Sequence, residues 1–236
     1  MNTYERYYQE SLYPLQDGVL NIIQKLNTPF FLTGGTALSR HYFSHRYSDD
    51  LYLFVNSYGK FRELLDTVLI SLGKADQQKA FLIEKETIKR FENYSQIFVY
   101  SALKPEIRLK IDFVNDIAQH YGGFETNQQL GIIDGWQNIL SNKLTALFRF
   151  EPKDIADIWI ISCHKKFNWK SIVNEAKSKE AGVEPDVIFN ILKSFPISQL
   201  QLIKWIVKPD YVKIENDLSI IAEDILYGKE NSLTSI

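Results

Sequence analysis

A pair of glycines between two short apolar segments constrains the fold of this chain more than any other feature. Residues 30–56 read FFLTGGTALSRHYFSHRYSDDLYLFVN. Short apolar runs bounded by turn residues are typical of buried strands, so we expect strands at 30–33 and 51–55. Between them the glycines lead into a predicted short helix at 36–43, for which Thr36 is the expected N-cap.

The segments on either side predict further helices and strands. Residues 4–26 have apolar side chains at helical spacing and predict one or two helices. The same spacing predicts a helix at 60–73 that ends at its final glycine. Residues 81–103 have the form of an antiparallel hairpin, and regular alternation predicts a strand at 106–116.

The pattern changes near Gly135, after which no segment alternates clearly. Helices are predicted at 136–150, 153–166, 169–181, 185–194, 198–206 and 210–227. We therefore expect an α+β fold, with a small mixed sheet and flanking helices in residues 1–134 and an all-helical C-terminal part in residues 135–236.

Composition and charge exclude several classes of protein. The chain is 45% apolar with a net charge of −2, so it should fold, and its bulk charge does not indicate a nucleic-acid partner. No apolar run approaches the roughly 18 residues that span a bilayer, so we expect no membrane partner. Cys163 is the only cysteine, which favours a reducing compartment and predicts a cytoplasmic protein.

Two acids on neighbouring predicted strands indicate a site for a metal and a phosphate. Alternation places Asp50 and Tyr52 on one strand face and Asp112 on the polar face of a later strand. The turn at Gly34 and Gly35 opens a helix, whose backbone N–H groups can bind an anion. Mg²⁺ prefers oxygen ligands completed by water and phosphate, so Asp50 and Asp112 are the expected metal ligands.

Simpler interpretations of the same residues stay open. A Gly-Gly pair also makes a tight strand-to-helix turn that binds nothing. Asp112 also suits an ion pair with Arg108 or Lys110, or plain solvent exposure. A helical scaffold with an incidental glycine turn is a further alternative, and it predicts that Asp50 and Asp112 lie far apart.

The motifs together resemble the AbiEii/AbiGii-type toxins, a nucleotidyltransferase-fold family of bacterial toxin–antitoxin and abortive-infection systems. GGTAL followed by HRYSDDLYLF is similar to the family pattern Gly-Gly-Thr-Ala-Leu and Arg-x-Ser-x-Asp-x-Asp, on which Arg46, Ser48 and Asp50 fall. KIDFV resembles a later strand that carries a further carboxylate, here Asp112. Residues 142–161 resemble a helical motif, Lys-Leu-x-Ala-Leu followed by Asp-x-x-Asp.

This resemblance implies an activity and a set of partners. The family transfers a nucleotidyl group from a nucleoside triphosphate to an acceptor such as the 3′ end of tRNA, with Mg²⁺ as cofactor and a cognate antitoxin as partner. The implied catalytic residues are Asp50, Asp112, Lys143 and Asp154, the implied metal ligands are Asp50 and Asp112, and the implied nucleotide-binding residues are Gly34, Gly35, Thr36, Ser48 and Lys143. A cleft between the sheet part and the helical part is the expected location.

Tyr52 departs from the family pattern, which has an aspartate at this position. A phenol with a pKa near 10 is neutral at pH 7 and is a poor ligand for Mg²⁺. Loss of one charged contact in an active site lowers activity by about 10²–10³-fold. Three explanations stay open. Asp49 replaces the missing carboxylate, although alternation points it away from Asp50; the chain is a catalytically impaired nucleotide-binding or protein-interaction module with the same fold; or Tyr52 is a substitution introduced so that a toxic enzyme could be produced.

Overall fold

The computed structural model of the chain describes residues 3–234, and its strands form an eight-stranded mixed sheet within that part. The strands are β1 (Phe31–Thr33), β2 (Leu51–Asn56), β3 (Phe81–Ile83), β4 (Lys89–Arg90), β5 (Tyr94–Ser101), β6 (Arg108–Asp116), β7 (Phe124–Asn127) and β8 (Gly131–Asp134). The helices are α1 (Thr3–Tyr7), α2 (Tyr13–Lys25), α3 (Gly34–Ala37), α4 (Phe61–Gln77), α5 (Trp136–Ala146), α6 (Pro152–His164), α7 (Trp169–Lys179), α8 (Pro185–Ser194) and α9 (Tyr211–Leu226). This confirms the predicted α+β class.

The chain divides into two compact units. The first unit takes in the chain through His41, followed by Tyr47–Ala118 and Phe124–Asp134. The second unit takes in Tyr42–Arg46, Gln119–Gly123 and the chain from Gly135 onward. Two short segments that precede Gly135 thus belong to the same unit as the C-terminal helices.

The sheet of the first unit has the order β3-β5-β6-β2-β1-β8-β7, and β4 pairs with β5. The central pair, β2 and β6, runs parallel, and β1 is antiparallel to β2 but parallel to β8. The parallel register aligns Leu51 with Ile111, Tyr52 with Asp112 and Leu53 with Phe113. The two strands therefore present matching faces.

One face of this central pair forms the core of the first unit. Leu53 on β2 and Phe113 on β6 are almost fully buried. The ring of Phe30 packs against those of Phe61 on α4 and Phe113, with centroids 6.3 and 5.2 Å apart. Each such side chain contributes about 1.5–3 kcal/mol on burial, so the apolar face fixes which side chains point the other way.

Two predicted helix boundaries in this unit are wrong. Helix α3 begins at Gly34, with Thr33 in the N-cap position, so Thr36 lies inside the helix and is not its cap. A π-helical segment, Leu38–Phe43, continues it. Helix α4 runs past Gly73 to Gln77 because the buried stripe continues through Ala75, and this burial outweighs the roughly 1 kcal/mol that a glycine costs within a helix.

Sequence periodicity also missed one hairpin and assigned one helix wrongly. Strands β7 and β8 form an antiparallel hairpin whose second strand adds to β1. Both strands have only four residues, too few for alternation to stand out. The segment expected as a helix at 198–206 forms a short 3₁₀ helix, Ile197–Leu202.

The second unit consists of helices around an apolar core. Trp169 at the start of α7 is wholly buried, as are Ile158 and Ile161 on α6. Helix α6 begins with Pro152 in its first turn, where proline is well tolerated. None of the helices in residues 3–234 is both long enough and apolar enough to cross a bilayer.

Candidate active site

The glycine turn between β1 and α3 lies directly against Tyr52. Gly34 has a φ of +68°, and a Cβ added to it would lie 3.6 Å from the Tyr52 ring. Left-handed backbone is open to glycine at little steric cost and is strained for other residues. Gly34 thus lets the chain reverse from the strand into the helix beside the centre of β2.

Expected behaviour of Gly34→Ala is a loss of about 1–2 kcal/mol of unfolding free energy, because alanine is strained in the left-handed conformation. The added Cβ meets only ordinary contact distances, so the loss comes from the backbone. Gly18→Ala is the matched control: Gly18 lies within α2 with open space around it, and alanine should stabilise the protein by about 0.5–1 kcal/mol. Urea denaturation measures the unfolding free energy of both variants. An unchanged unfolding free energy for Gly34→Ala would contradict the expected backbone strain.

Two buried hydroxyl groups tie the glycine turn to the segment before β2. The Thr36 hydroxyl donates to the backbone carbonyl of Asp50, and Ser48 Oγ lies 2.9 Å from Thr36 Oγ1. The side-chain amide of Gln16 donates to the carbonyl of Ser48 at 3.1 Å. These bonds position Asp50, and a contact of Thr36 or Ser48 with a phosphate stays a prediction.

The acids Asp50 and Asp112 come together at one ammonium group. Lys110 Nζ lies 3.2 Å from Asp50 Oδ2 and 3.1 Å from Asp112 Oδ2. The helical-scaffold alternative, which required the two acids to lie far apart, is therefore wrong. The ion pair of Asp112 with Lys110, one of the simpler interpretations, is present as well.

Hydrogen-bond donors on β5 hold the Asp112 carboxylate in place. Its Oδ1 accepts from the Tyr94 hydroxyl and from Gln96 Nε2, each at 2.9 Å. Burial and the bond to Asp112 raise the pKa of Tyr94 to about 12. Tyr94 therefore remains a neutral donor at physiological pH, and one oxygen of Asp112, Oδ2, faces Lys110.

Tyr52 takes the position of the missing carboxylate. Its hydroxyl accepts from Lys110 Nζ at 3.2 Å and lies 3.5 Å from Asp50 Oδ2. Burial raises the pKa of Tyr52, and the Asp50 carboxylate adds to the effect. Burial opposes the charge of Lys110, but Asp50 and Tyr52 outweigh it and raise the pKa of the ammonium. The phenol is therefore neutral and the lysine is charged.

Asp49 does not replace the missing carboxylate. The hydroxyl of Tyr8 donates to Asp49 Oδ1. Tyr8 is itself fully buried, and its ring stacks on that of Tyr47 with centroids 4.3 Å apart. The Asp49 carboxylate is thus bound by a tyrosine of the N-terminal segment, whereas that of Asp50 pairs with Lys110.

The side chains of the first unit fit Mg²⁺ only in part. Within residues 3–234 no group of three or more His, Cys, Asp or Glu side chains is placed to hold a metal ion. Asp50 and Asp112 supply two carboxylates, and Mg²⁺ is commonly held by one or two carboxylates together with water and substrate phosphates. The donor set therefore suits a metal that binds with a triphosphate.

A second cluster of charges is buried within the second unit. Lys143 Nζ on α5 lies 2.6 Å from Asp154 Oδ1 and 2.6 Å from Asp157 Oδ2, both on α6. Arg149 Nε also donates to Asp154, at 2.7 Å. Burial disfavours the charge of Lys143, but Asp157 and Asp154 outweigh it and raise the pKa of the ammonium. Lys143 is thus a buried cation paired with two acids.

Arg46 and His45 complete this cluster around Asp157. Arg46 donates to both oxygens of Asp157, from Nε and Nη2 at 2.8 Å each, and His45 Nε2 lies 2.9 Å from Oδ1. Burial lowers the pKa of His45 and outweighs Asp157, whose carboxylate raises it. The imidazole is therefore neutral. The arginine of the Arg-x-Ser motif is therefore bound by an acid of the Asp-x-x-Asp motif.

The structure thus brings the predicted residues together in two groups. Within the first unit, the glycine turn, the two hydroxyls and the two acids are contiguous. Within the second unit, Lys143 contacts Asp154. Sequence reasoning offered Lys110 only as an ion-pair partner of Asp112 and did not identify it as the group that joins Asp50 to Asp112. It also did not identify Asp157 as the partner of Arg46, although an acid on the apolar helix α6 signalled a buried partner.

Comparison with known proteins first defines the class of fold. JHP933 from Helicobacter pylori is 19% identical with a TM-score of 0.60, covering 92% of this chain and 93% of that one. MenT4, a nucleotidyltransferase toxin from Mycobacterium tuberculosis H37Rv, is 10% identical with a TM-score of 0.54, covering 91% of this chain and 82% of that one. The chain has the fold of these proteins.

Part of the sequence also matches a family model. Residues 20–121 match the family described as nucleotidyl transferase AbiEii toxin of type IV toxin–antitoxin systems. Over that range, which is less than half of the chain, the sequence is similar to this toxin family, and the match confirms the resemblance of its motifs. The matched range includes the predicted site residues from Gly34 to Asp112, but not Lys143 or Asp154. No curated protein matches the chain.

Proposed function

We propose that this protein transfers a nucleotidyl group from a nucleoside triphosphate to the hydroxyl of an RNA acceptor such as tRNA, and that a cognate antitoxin restrains it. One observation carries the proposal: Asp50, which directly precedes β2, and Asp112 on the adjacent parallel strand β6 pair with the same ammonium beside the Gly34 turn. Carboxylates grouped beside a glycine turn that opens a helix suit a metal-bound triphosphate. We expect a cytoplasmic protein.

The proposed reaction forms a bond between the acceptor oxygen and the α-phosphorus and breaks the bond from that phosphorus to the bridging oxygen, so that pyrophosphate leaves. The hydroxyl proton of the acceptor passes to a base, for which a carboxylate of this cluster is the candidate. Bound Mg²⁺ would neutralise charge on the phosphate oxygens. Asp50 and Asp112 would hold it, while Gly34 and Gly35 would offer backbone N–H groups to the phosphates.

Lys143 and Asp154 have supporting roles in this proposal. Lys143 donates to two carboxylates in the resting protein, and an ammonium carries three N–H donors. The resemblance of its motif implies that Lys143 would contact a phosphate oxygen. Asp154, at 2.6 Å, would orient Lys143 as a positioning residue. The family motif supports these two roles.

A second function is favoured by Tyr52 itself. A neutral phenol beside a lysine leaves the cluster with two carboxylates against one ammonium, and so with less negative charge than the family pattern provides. A protein that binds the nucleotide, or another protein, without transferring anything would tolerate that loss. The two functions differ in whether label moves from the triphosphate to RNA.

The Tyr52→Asp variant distinguishes the two proposed functions. We expect the natural protein to transfer radiolabel from a triphosphate to total RNA, and the Tyr52→Asp variant to do so up to about 10²–10³-fold faster, because the added carboxylate strengthens charge stabilisation. Calorimetric titration of each triphosphate with and without Mg²⁺ measures binding. Tyr52→Phe is the control, since it removes the hydroxyl and adds no charge.

The outcomes are distinct. Transfer that appears only in the Tyr52→Asp variant would identify the natural protein as the impaired binding module. Absence of triphosphate binding by every form would reject both nucleotidyl transfer and nucleotide binding.

A further inference from the structure

We propose that Lys110 is a tethered cation that occupies the gap between Asp50 and Asp112 and keeps a free divalent cation out until a triphosphate binds. The entry of the cation together with a triphosphate rests on the proposed function. The exclusion of a free divalent cation by Lys110 concerns metal binding by the protein alone.

The position of the ammonium carries the inference. Lys110 Nζ has three oxygen neighbours at ordinary contact distances: Asp50 Oδ2 at 3.2 Å, Asp112 Oδ2 at 3.1 Å and the Tyr52 hydroxyl at 3.2 Å. These are the oxygens that a cation shared by β2 and β6 would contact. The lysine thus provides one positive charge where a metal ion would provide two.

The backbone holds Lys110 at this point. Lys110 and Asp112 are two residues apart on β6, so their side chains project from the same face. The parallel register places Tyr52 beside Asp112, and the ammonium lies 5.0 Å from the centroid of the Tyr52 ring. Cation–π attraction adds to the two ion pairs. Lys110 therefore has several reasons to stay between the acids.

The net charge of Asp50, Asp112 and Lys110 determines whether a divalent cation can bind beside them. Asp50 and Asp112 supply two negative charges, and Lys110 cancels one of them. A divalent cation entering beside the ammonium would raise the total to three positive charges against two negative ones. An aspartate at position 52 would add a third negative charge and balance them, but the neutral phenol of Tyr52 does not. Like charges within a few ångströms repel strongly in a partly buried site.

A triphosphate reverses this balance. Its phosphate oxygens bring several negative charges and further metal ligands, and they give the displaced ammonium a new partner. The cation would then enter with the nucleotide rather than ahead of it. Lys110 acts in this way as a positioning residue that sets the order of binding.

Mn²⁺ titration followed by electron paramagnetic resonance, with no nucleotide present, tests the exclusion of a free divalent cation by Lys110. Lys110→Met removes the charge and keeps an unbranched side chain, and we expect it to bind Mn²⁺ at least about tenfold more tightly than the natural protein. Lys89→Met, at an exposed position on β4, is the matched control and should bind as the natural protein does. Adding Asp112→Asn to Lys110→Met should abolish the gain.

Two results would overturn the inference. One is Mn²⁺ affinity in Lys110→Met equal to that of the natural protein; the other is a gain that persists when Asp112 is also replaced. Lys110→Gln serves as a second uncharged variant, and circular dichroism verifies that each variant folds. Because no transfer is measured, a failed transferase assay alongside tighter Mn²⁺ binding would reject the proposed reaction and leave the metal exclusion by Lys110 intact.

Discussion

Replacement of Asp112 by asparagine is expected to lower the rate of nucleotidyl transfer by about 10²–10³-fold, as removal of one charged contact does in other active sites. Asparagine keeps an oxygen that can accept from Tyr94 and Gln96, which hold Oδ1 at 2.9 Å each. The loss would therefore come from the missing charge rather than from a collapsed strand. Steady-state transfer of label to RNA measures the rate.

Asp116→Asn is the matched control for this experiment. Asp116 ends the same strand, and its Oδ1 accepts from the backbone N–H of Ala118, a bond that asparagine also makes. We expect its transfer rate to equal that of the natural protein. Equal rates for Asp112→Asn and Asp116→Asn would remove Asp112 from the reaction and with it the observation on which the proposed function rests.

Asp157→Asn is expected to cost about 3–5 kcal/mol of unfolding free energy, the penalty typical of breaking a buried ion pair from one side. Asp157 is wholly buried and pairs with Arg46 and Lys143, at 2.8 and 2.6 Å. Without the Asp157 charge, Lys143 keeps Asp154 as an anionic partner, and Arg46 loses the carboxylate that accepts from its Nε and Nη2. Urea denaturation at pH 7 measures the loss, and Glu215→Gln, exposed on α9, should change stability by no more than about 0.5 kcal/mol.

The pH dependence of the stability of Asp157→Asn tests whether the lost charge causes the destabilisation. Burial opposes ionisation of Asp157, but Arg46 and Lys143 outweigh it and hold the pKa of the carboxyl well below its usual range. A group with a lowered folded-state pKa stabilises the protein fully above its unfolded pKa, about 3.9 for Asp. That contribution is lost as the pH falls toward the folded value. The stability difference between the natural protein and Asp157→Asn should thus narrow below about pH 4, and a constant difference would point to packing instead.

Much of the first unit was predictable because its signals are local. The apolar runs around the glycine pair became β1 and β2, and the alternating segment became β6. Period-two alternation also placed Asp50 with Tyr52, and Asp112 with Lys110, on one face of their own segments, since a strand alone decides which of its side chains share a face. The predicted cap at Thr36 failed because helix α3 starts two residues earlier, at the left-handed Gly34.

Other features depended on contacts between distant parts of the chain. Arg46 and Asp157 are 111 residues apart in sequence, and nothing local to either shows that they pair. The role of Lys110 likewise required the register of β2 on β6, because an alternating strand shows the face of a lysine but not its neighbours. The short β7–β8 hairpin is stabilised by pairing with β1 rather than by its own pattern.

The amino-acid sequence by itself determined the resemblance to a family, the α+β class and the two acids beside the glycine turn, since these depend on short motifs and on residues a few positions apart. Tertiary structure alone decided that an ammonium lies between those acids and that Asp157 binds both Arg46 and Lys143. The physical reason is that electrostatic pairing depends on distance in space, and the folding of the backbone sets that distance for side chains separated by tens of residues or more.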